Sequence, residues 1–495
     1  MMAPWTPDMP ATSSPIVTLP VGKVQGRRLA SVCAYLGIPY AAPPVGALRW
    51  KAPQAAAPLQ RVFDASRFGP DLPQAANARL RGPSQSEDCL YLNVWAPADA
   101  KPGSLPVMVW IHGGGFMGGS GSDLRSDGAR MAAQGVVVVS FNYRAGLFGF
   151  LAHPALSRES DHGVSGNYGL LDQLAALRWV RDNIAPFGGD PRRVTAFGVS
   201  AGSASISLLL GSPLLDGLFQ QAILHSPGAG RPLATLADAE QAGRKLGEDI
   251  ASLRQLSAEA LFEKSPLLNP KVRGLTTPRV LRPIRDGWAI VEDERPAFEA
   301  GRLHAMPLVV GSNADEGTLL TKAWPVKTLP DYRELLQNNF GASVQQAASL
   351  YPATSDADVP VRVAEMFADT QFNFGTRLLA RAMARKGMPT WRYLFTRRAP
   401  GQDDGPHHGE EVPYVFGNLE SVPGAVDSLA DAAVSQAMLQ SWVRFARSGD
   451  PNTAGAHWPR YAPAEDAYIV FGDKVSTGHG WRQAPLDFLD GFFSA

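Results

Sequence analysis

The sequence predicts an α/β fold in which a large, mostly parallel sheet is covered by helices on both faces. Two observations lead there. Apolar runs at Val107–Ile111, Val136–Phe141 (interrupted only by Ser140), Val194–Phe197 and Gln221–His225 read as strands buried on both sides, and segments of helical spacing alternate with them. The run ending at Phe197 is followed by Gly198-Val199-Ser200-Ala201-Gly202 and then by small and apolar residues at helical spacing, so strand, sharp turn and helix follow without a gap.

In chain order, residues 1–15 (MMAPWTPDMPATSSP) carry one acid, no Lys or Arg and no apolar core, which makes a loose, disordered tail and no secretory signal. Short β-type runs between residues 16 and 40, broken by Gly22, Gly26 and Gly37, read as an antiparallel hairpin lead-in. Pro39 to Ser86 is rich in Pro, Gly and Ala, a loop long enough to form a pocket wall. Leu90–Trp95 alternates as a strand. Asp123–Gln134, Gly169–Asn183 and Ala234–Glu263 have helical patterns, and 264–305 is irregular. Leu308–Gly311 and Trp391–Thr396 read as late core strands, with several helices between 328 and 388. Val434–Ser448 is an amphipathic helix stopped by Gly449-Asp450-Pro451-Asn452. Without repeats or low-complexity linkers, residues 16–495 read as one domain with helical insertions around 232–300 and 328–388.

Composition narrows the function. Lys plus Arg equals Asp plus Glu at 46 each, which speaks against a nucleic-acid footprint or a polybasic membrane patch. No apolar run approaches the roughly 18 residues that span a bilayer. Cys33 and Cys89 are the only cysteines, and neither is required as a bridge in a chain of this size, so a cytoplasmic protein is the simpler expectation.

The chemistry starts at Ser200. Gly-x-Ser-x-Gly on a strand-to-helix turn is a nucleophile elbow, which holds its serine at a helix N-terminus where backbone N–H groups favour developing negative charge. The glycine run His112–Gly119 (HGGGFMGG) follows a buried strand, and glycines there let N–H groups point into a cavity. Gly114, Gly115 and Ala201 are the expected donors of an oxyanion hole. Asp315 and Glu316 in GSNADEG (311–317) compete to orient the base. Of nine histidines, His408 in GPHHGEEVPYVFG lies where Ser, acid, His order puts the base, with His407 its nearest confusion. His112 is expected to shape the pocket mouth, and His225 and His304 to be structural or wall residues.

Together HGGGF (112–116), EDCLYLNVW (87–95), NYGLLDQLAALRWV (167–180), NIAPFGGDPRRVTAFGVSAG (183–202), NADEG (313–317) and HHGEEVPYVFG (407–417) resemble the type-B carboxylesterase and cholinesterase-like family, in order, from about residue 18 to 490. The resemblance implies an α/β-hydrolase fold and a Ser–Glu–His triad falling on Ser200, Glu316 and His408. Ser226 matches a family serine that supports the triad acid. Two positions depart from the family's pattern. Val199 stands where GESAG elbows carry Glu, and Leu72 in FGPDLPQ (68–74) stands where many members carry the cysteine that pairs with the one matching Cys89. No tryptophan lies in 75–86, where choline-ester members carry one, which speaks against a choline-ester specialist.

The expected reaction is two-step acyl transfer through an acyl-enzyme, with no metal or organic cofactor and a small-molecule ester as the partner of an expected monomer. The pocket is expected from residues 66–86, 270–290, 318–325 and 365–375. Phe68, Phe367, Phe372 and Phe374 there favour apolar groups, while Arg79, Arg81, Arg282 and Arg285 could attract a polycarboxylate ester of a natural product or toxin. The three-glycine loop resembles that of hydrolases accepting bulky alcohols. Amidase, carbamate hydrolase and transacylase chemistry, or a non-catalytic scaffold role, are the alternatives.

Overall fold

Buried β-branched runs become the centre of a twisted sheet. The computed structural model describes residues 14–268 and 274–494, so residues 1–13 of the expected tail and residues 269–273, which overlap the expected pocket stretch 270–290, lie outside the described residues. The first strands are β1 (Ile16–Leu19), β2 (Gly22–Gln25), β3 (Arg27–Leu29), β4 (Val32–Pro39) and β5 (Phe63–Asp64). Next come β6 (Tyr91–Pro97), β7 (Leu105–Ile111), β8 (Val137–Phe141), β9 (Gly189–Val199) and β10 (Gln221–His225). The last are β11 (Leu308–Asn313), β12 (Thr390–Phe395), β13 (Ala467–Phe471) and β14 (Val475–His479).

Eleven strands form one sheet in the order β14-β13-β12-β11-β10-β9-β7-β8-β6-β4-β3. Neighbours from β8 through to β13 are parallel, and antiparallel strands close both edges. This is the expected mostly parallel sheet of an α/β-hydrolase. The lead-in differs from a single hairpin. β1 and β2 join β5 in a separate three-stranded sheet, whereas β3 and β4 pair with each other and extend the large one through β6.

Side chains alternate between two cores, as a period of two requires. Val107, Val109 and Ile111 of β7 share one core with Leu224 and Val310, and helices Tyr168–Asn183, Ala201–Leu210 and Phe374–Arg385 cover it. Met108 and Trp110 point the other way, into a core with Phe197, Ile223 and the helix Leu429–Ser448. Each large apolar side chain fully buried in these layers contributes about 1.5–3 kcal/mol.

Two expected helices are interrupted by their own polar residues. Ala234–Glu263 divides into Leu236–Gly243, Ile250–Gln255 and Ala258–Phe262, because Thr235, Asp249 and Ser257 each accept a backbone N–H and restart the helix. Asp123–Gln134 shrinks to a 3₁₀ turn at Leu124–Ser126 and one turn at Ala129–Ala132, since Asp123 and Asp127 cap in succession. The helix expected from Val434 begins at Leu429, after Ser428 as cap, and stops at left-handed Gly449 as expected. Between Val359–Ala368 and Phe374–Arg385 lies a π-helical turn, Asp369–Asn373. Its buried Asp369 is gripped by Arg482, next to the C-terminal helix Gln483–Phe492, with Nη2 2.6 Å from Oδ2.

Because the central strands run the same way, their carboxyl ends lie on one side, the usual location of an α/β site. His112, Ser200, Ser226 and Ala314 directly follow β7, β9, β10 and β11 there.

Candidate active site

Ser200 sits at the point where β9 ends and the helix Ala201–Leu210 begins. Its backbone has φ 58° and ψ −118°, a conformation costly for any residue with a Cβ. Two contacts hold it there. The Ser200 N–H donates to the His225 carbonyl at 2.9 Å, and the helix starts hard against β7. A Cβ on Gly202 would stand 2.0 Å from the Ile111 carbonyl oxygen, so the second glycine of the motif is fixed by this close approach.

The glycine loop after β7 passes the same cavity. Gly114 has φ 128°, and a Cβ on it would meet the Gly118 carbonyl oxygen at 2.1 Å. Gly114, Gly115 and Ala201 all line the cavity that Ser200 lines. His112, at the root of the loop, is buried and stacks on Tyr143 with ring centroids 4.3 Å apart. Burial pulls its imidazole down to about 4, so it is neutral at pH 7. Its Nδ1 lies 2.8 Å from the Gly113 carbonyl, which only accepts, so Nδ1 carries the proton and Nε2 is a lone pair. That Nε2 has no partner among the described residues.

Of the two acids after β11, the structure brings Glu316 to His408, with Oε2 2.5 Å from Nδ1. Asp315 instead pairs with Arg398 at 2.9 Å. Glu316 is fully buried, and its other oxygen accepts from the Ser226 hydroxyl and, at 2.7 Å, from the Asn313 N–H. A carboxylate on Nδ1 puts the proton there and leaves Nε2 as a lone pair. The His408 Nε2 is buried without a partner among the described residues, and its ring stacks on Phe372 at 4.2 Å. Neighbouring His407 turns to Glu410, Nε2 to Oε2 2.8 Å. Burial pulls this imidazole down, but the carboxylate outweighs it and holds it above its ordinary value.

Comparison with known proteins gives the family. The sequence profile of the Carboxylesterase family matches residues 13–489. The chain belongs to the carboxylesterase family. It is 48% identical over 477 residues to a fumonisin B1 esterase of Sphingopyxis macrogoltabida, covering 94% of this chain and 87% of that protein. It is 37% identical over 484 residues to the para-nitrobenzyl esterase of Bacillus subtilis (strain 168), covering 93% and 95%. A solved PNB esterase structure superposes with a TM-score of 0.84 at 35% identity, over 96% of this chain and 100% of that one. The protein is therefore an ester hydrolase of the serine-hydrolase type. Among the described residues no helix is long and apolar enough to cross a membrane.

Beneath the acid, the carboxylesterase carries a buried chain that sequence reading missed. Trp442 Nε1–H donates to His225 Nε2 at 3.0 Å, which fixes the proton on Nδ1, and Nδ1–H donates to Glu411 Oε1 at 3.2 Å. Glu411 Oε2 accepts from the Asn313 side chain at 2.6 Å, and the Asn313 backbone holds Glu316. Burial pushes the Glu411 carboxyl up, and the hydrogen bonds from His225 and Asn313 outweigh it, leaving it below its ordinary value. The only signal in the sequence was a histidine closing an apolar strand, which packing alone explains as well.

The carboxylesterase cavity measures about 380 Å³. Arg79, Arg282, Phe367 and Phe372 line it, as expected from the sequence. Phe68, Arg81, Phe374 and Arg285 do not. Phe68 lies under the Arg81 guanidinium, which is tied to Asp127 at 2.7 Å. Phe374 is fully buried against Phe493, and Arg285 pairs with Asp293 at 3.3 Å. Conversely Arg125, Arg231 and Arg279 line the cavity from segments the sequence did not mark as wall or did not single out. Val199 is a buried part of the same wall, and Cys33 and Cys89 are buried and unbridged.

Proposed function

We propose that this carboxylesterase works through Ser200 as nucleophile, His408 as base and Glu316 as the acid that orients it. Ser200 Oγ attacks the ester carbonyl carbon while its proton passes to His408 Nε2. The carbonyl oxygen, now an oxyanion, takes hydrogen bonds from the N–H groups of Gly114, Gly115 and Ala201. The tetrahedral adduct collapses, the carbon–oxygen bond to the alcohol breaks, and His408 returns the proton to that alcohol. Water, deprotonated by the same nitrogen, then cleaves the acyl-enzyme. Ser226 steadies Glu316 throughout.

The observation that carries this reading is the His408 imidazole, fixed by Glu316 at 2.5 Å, whose opposite nitrogen has no partner among the described residues and shares a cavity with a strained serine. The substrate we assign is a bulky carboxylic ester. Esters of the kinds for which the relatives are named, fumonisin and para-nitrobenzyl, are the first candidates, and the arginines of the cavity favour esters that also bear free carboxylates. The same reading places the enzyme in the cytoplasm, where two buried, unbridged thiols are stable.

The test is covalent labelling with a fluorophosphonate beside turnover of p-nitrophenyl butyrate. Label on Ser200 and turnover that falls by at least about 10⁴-fold in Ser200→Ala are expected. Label elsewhere, or equal turnover in the variant, refutes the assignment.

A further inference from the structure

Five arginines, Arg79, Arg125, Arg231, Arg279 and Arg282, line the cavity. They fall into two groups with different chemistry. Arg125 and Arg79 close on Asp123, with Arg125 Nη2 2.9 Å and Arg79 Nε 3.7 Å from Oδ2, so a carboxylate already stands between them. The other group is gathered around Gln371. Its carboxamide oxygen accepts from Arg231 Nη1 and, at 3.2 Å, from Arg279 Nη2. Gln371 Nε2 donates to the Leu275 carbonyl at 2.9 Å, which fixes which end of the amide faces the arginines. One carboxamide oxygen thus holds two guanidinium groups side by side. Arg282 completes the group, its guanidinium 5.3 Å over the Phe116 ring beside the glycine loop.

The group lines the same cavity as Ser200 and His408. A Cβ built on Gly228, itself part of the cavity wall, would lie 3.5 Å from Arg231 Nη2 and 4.0 Å from the Ala204 Cβ. Ala204 is in the first turn after Ser200, and its N–H bonds the Ser200 carbonyl at 2.8 Å. On the other flank Phe372, the residue after Gln371, stacks on His408. Below, Glu294 accepts from Ser207 and from the Gly230 N–H at 2.8 Å; burial raises its carboxyl, while those bonds and the charges of Arg282 and Arg231 act against it.

We infer that Arg231, Arg279 and Arg282, arranged by Gln371, form an anion subsite that takes a carboxylate carried by the ester substrate. The inference rests on the esterase reading of the same cavity. Guanidinium groups match a carboxylate in a planar, bidentate fashion, and a partly buried site makes each such bond stronger than on the surface.

The test compares kcat/KM on three esters. These are p-nitrophenyl butyrate (neutral), mono-p-nitrophenyl glutarate (carboxylate on the acyl side) and 4-carboxyphenyl butyrate (carboxylate on the alcohol side, read against phenyl butyrate). A preference of about tenfold or more for one anionic ester over its neutral counterpart is expected, and the arm that shows it tells which half of the substrate carries the charge. Arg231→Gln and the near-isosteric Gln371→Glu, which places a carboxylate between the two guanidiniums, should bring that ratio towards one. Arg285→Gln, outside the cavity, should keep the wild-type ratio. Glutarate should also inhibit wild type competitively and more strongly than its monoamide, a readout that needs no variant. Ser200-dependent turnover of butyrate with no anionic preference, or a preference unmoved in Arg231→Gln and Gln371→Glu, overturns the subsite alone. Absence of Ser200-dependent turnover on every ester overturns the esterase reading beneath it.

Discussion

Single residues set the chemistry through conformations that few other residues tolerate. Gly114 is the sharpest case, because its φ of 128° and the 2.1 Å approach of the Gly118 oxygen both exclude a side chain. Gly114→Ala is expected to displace the loop and lower kcat by about 10²–10³-fold, the usual cost of losing an oxyanion donor, with labelling of Ser200 slowed in parallel. His112 predicts a pH effect on stability. Its imidazole titrates near 6.5 in the unfolded chain and about 4 in the native one, so between those values the unfolded chain binds a proton that the native protein refuses. Stability therefore falls as pH drops through that window, by roughly 3 kcal/mol from this group alone. His112→Asn should flatten that part of the urea-midpoint profile while leaving other acid-sensitive steps in place.

Elements explain where sequence reading succeeded. The central apolar stretches of β7 to β10 were legible because their side chains alternate between two cores, and a short run of that kind has few other homes. The elbow was legible because a strand, two glycines and a helix leave one geometry. The short polar strand β14 and the π-helical turn were not, since neither departs from ordinary loop or helix composition. That turn matters, because it offers Gln371 and Phe372 to the cavity from adjacent positions. π-turns of this kind often sit at functional sites. Phe372→Leu keeps an apolar wall but removes the aromatic face from His408. A stack of this kind is worth about 1 kcal/mol, so kcat should fall several-fold with little change in thermal midpoint. Unchanged kcat would leave the stack a packing contact only.

At the scale of the molecule the charges balance, 46 against 46, while the arginines of the cavity collect on the side where the central strands end. Composition could exclude a nucleic-acid partner, but it could not reveal this local concentration, because Arg79, Arg125, Arg231, Arg279 and Arg282 are brought together only by folding. A basic cavity in an otherwise neutral protein attracts anions over about a Debye length. For a carboxylate-bearing ester, kcat/KM should fall as ionic strength rises, whereas for p-nitrophenyl butyrate it should stay nearly flat. The candidate triad was readable from motifs in sequence order. The wall was readable only in part, because four of the eight expected pocket residues are spent on ion pairs, ring contacts and core packing that pattern alone does not display.

The grip of Arg482 on Asp369 makes the far end of the chain a guarantor of the site. A ribosome that has delivered everything through His408 has already supplied the proposed nucleophile, acid and base, yet the turn bearing Gln371 and Phe372 still lacks its ion pair to Arg482. Activity during synthesis should thus switch on late, when the last few dozen residues emerge and dock, and a message cut short before Arg482 should yield a protein in which the turn has lost that ion pair.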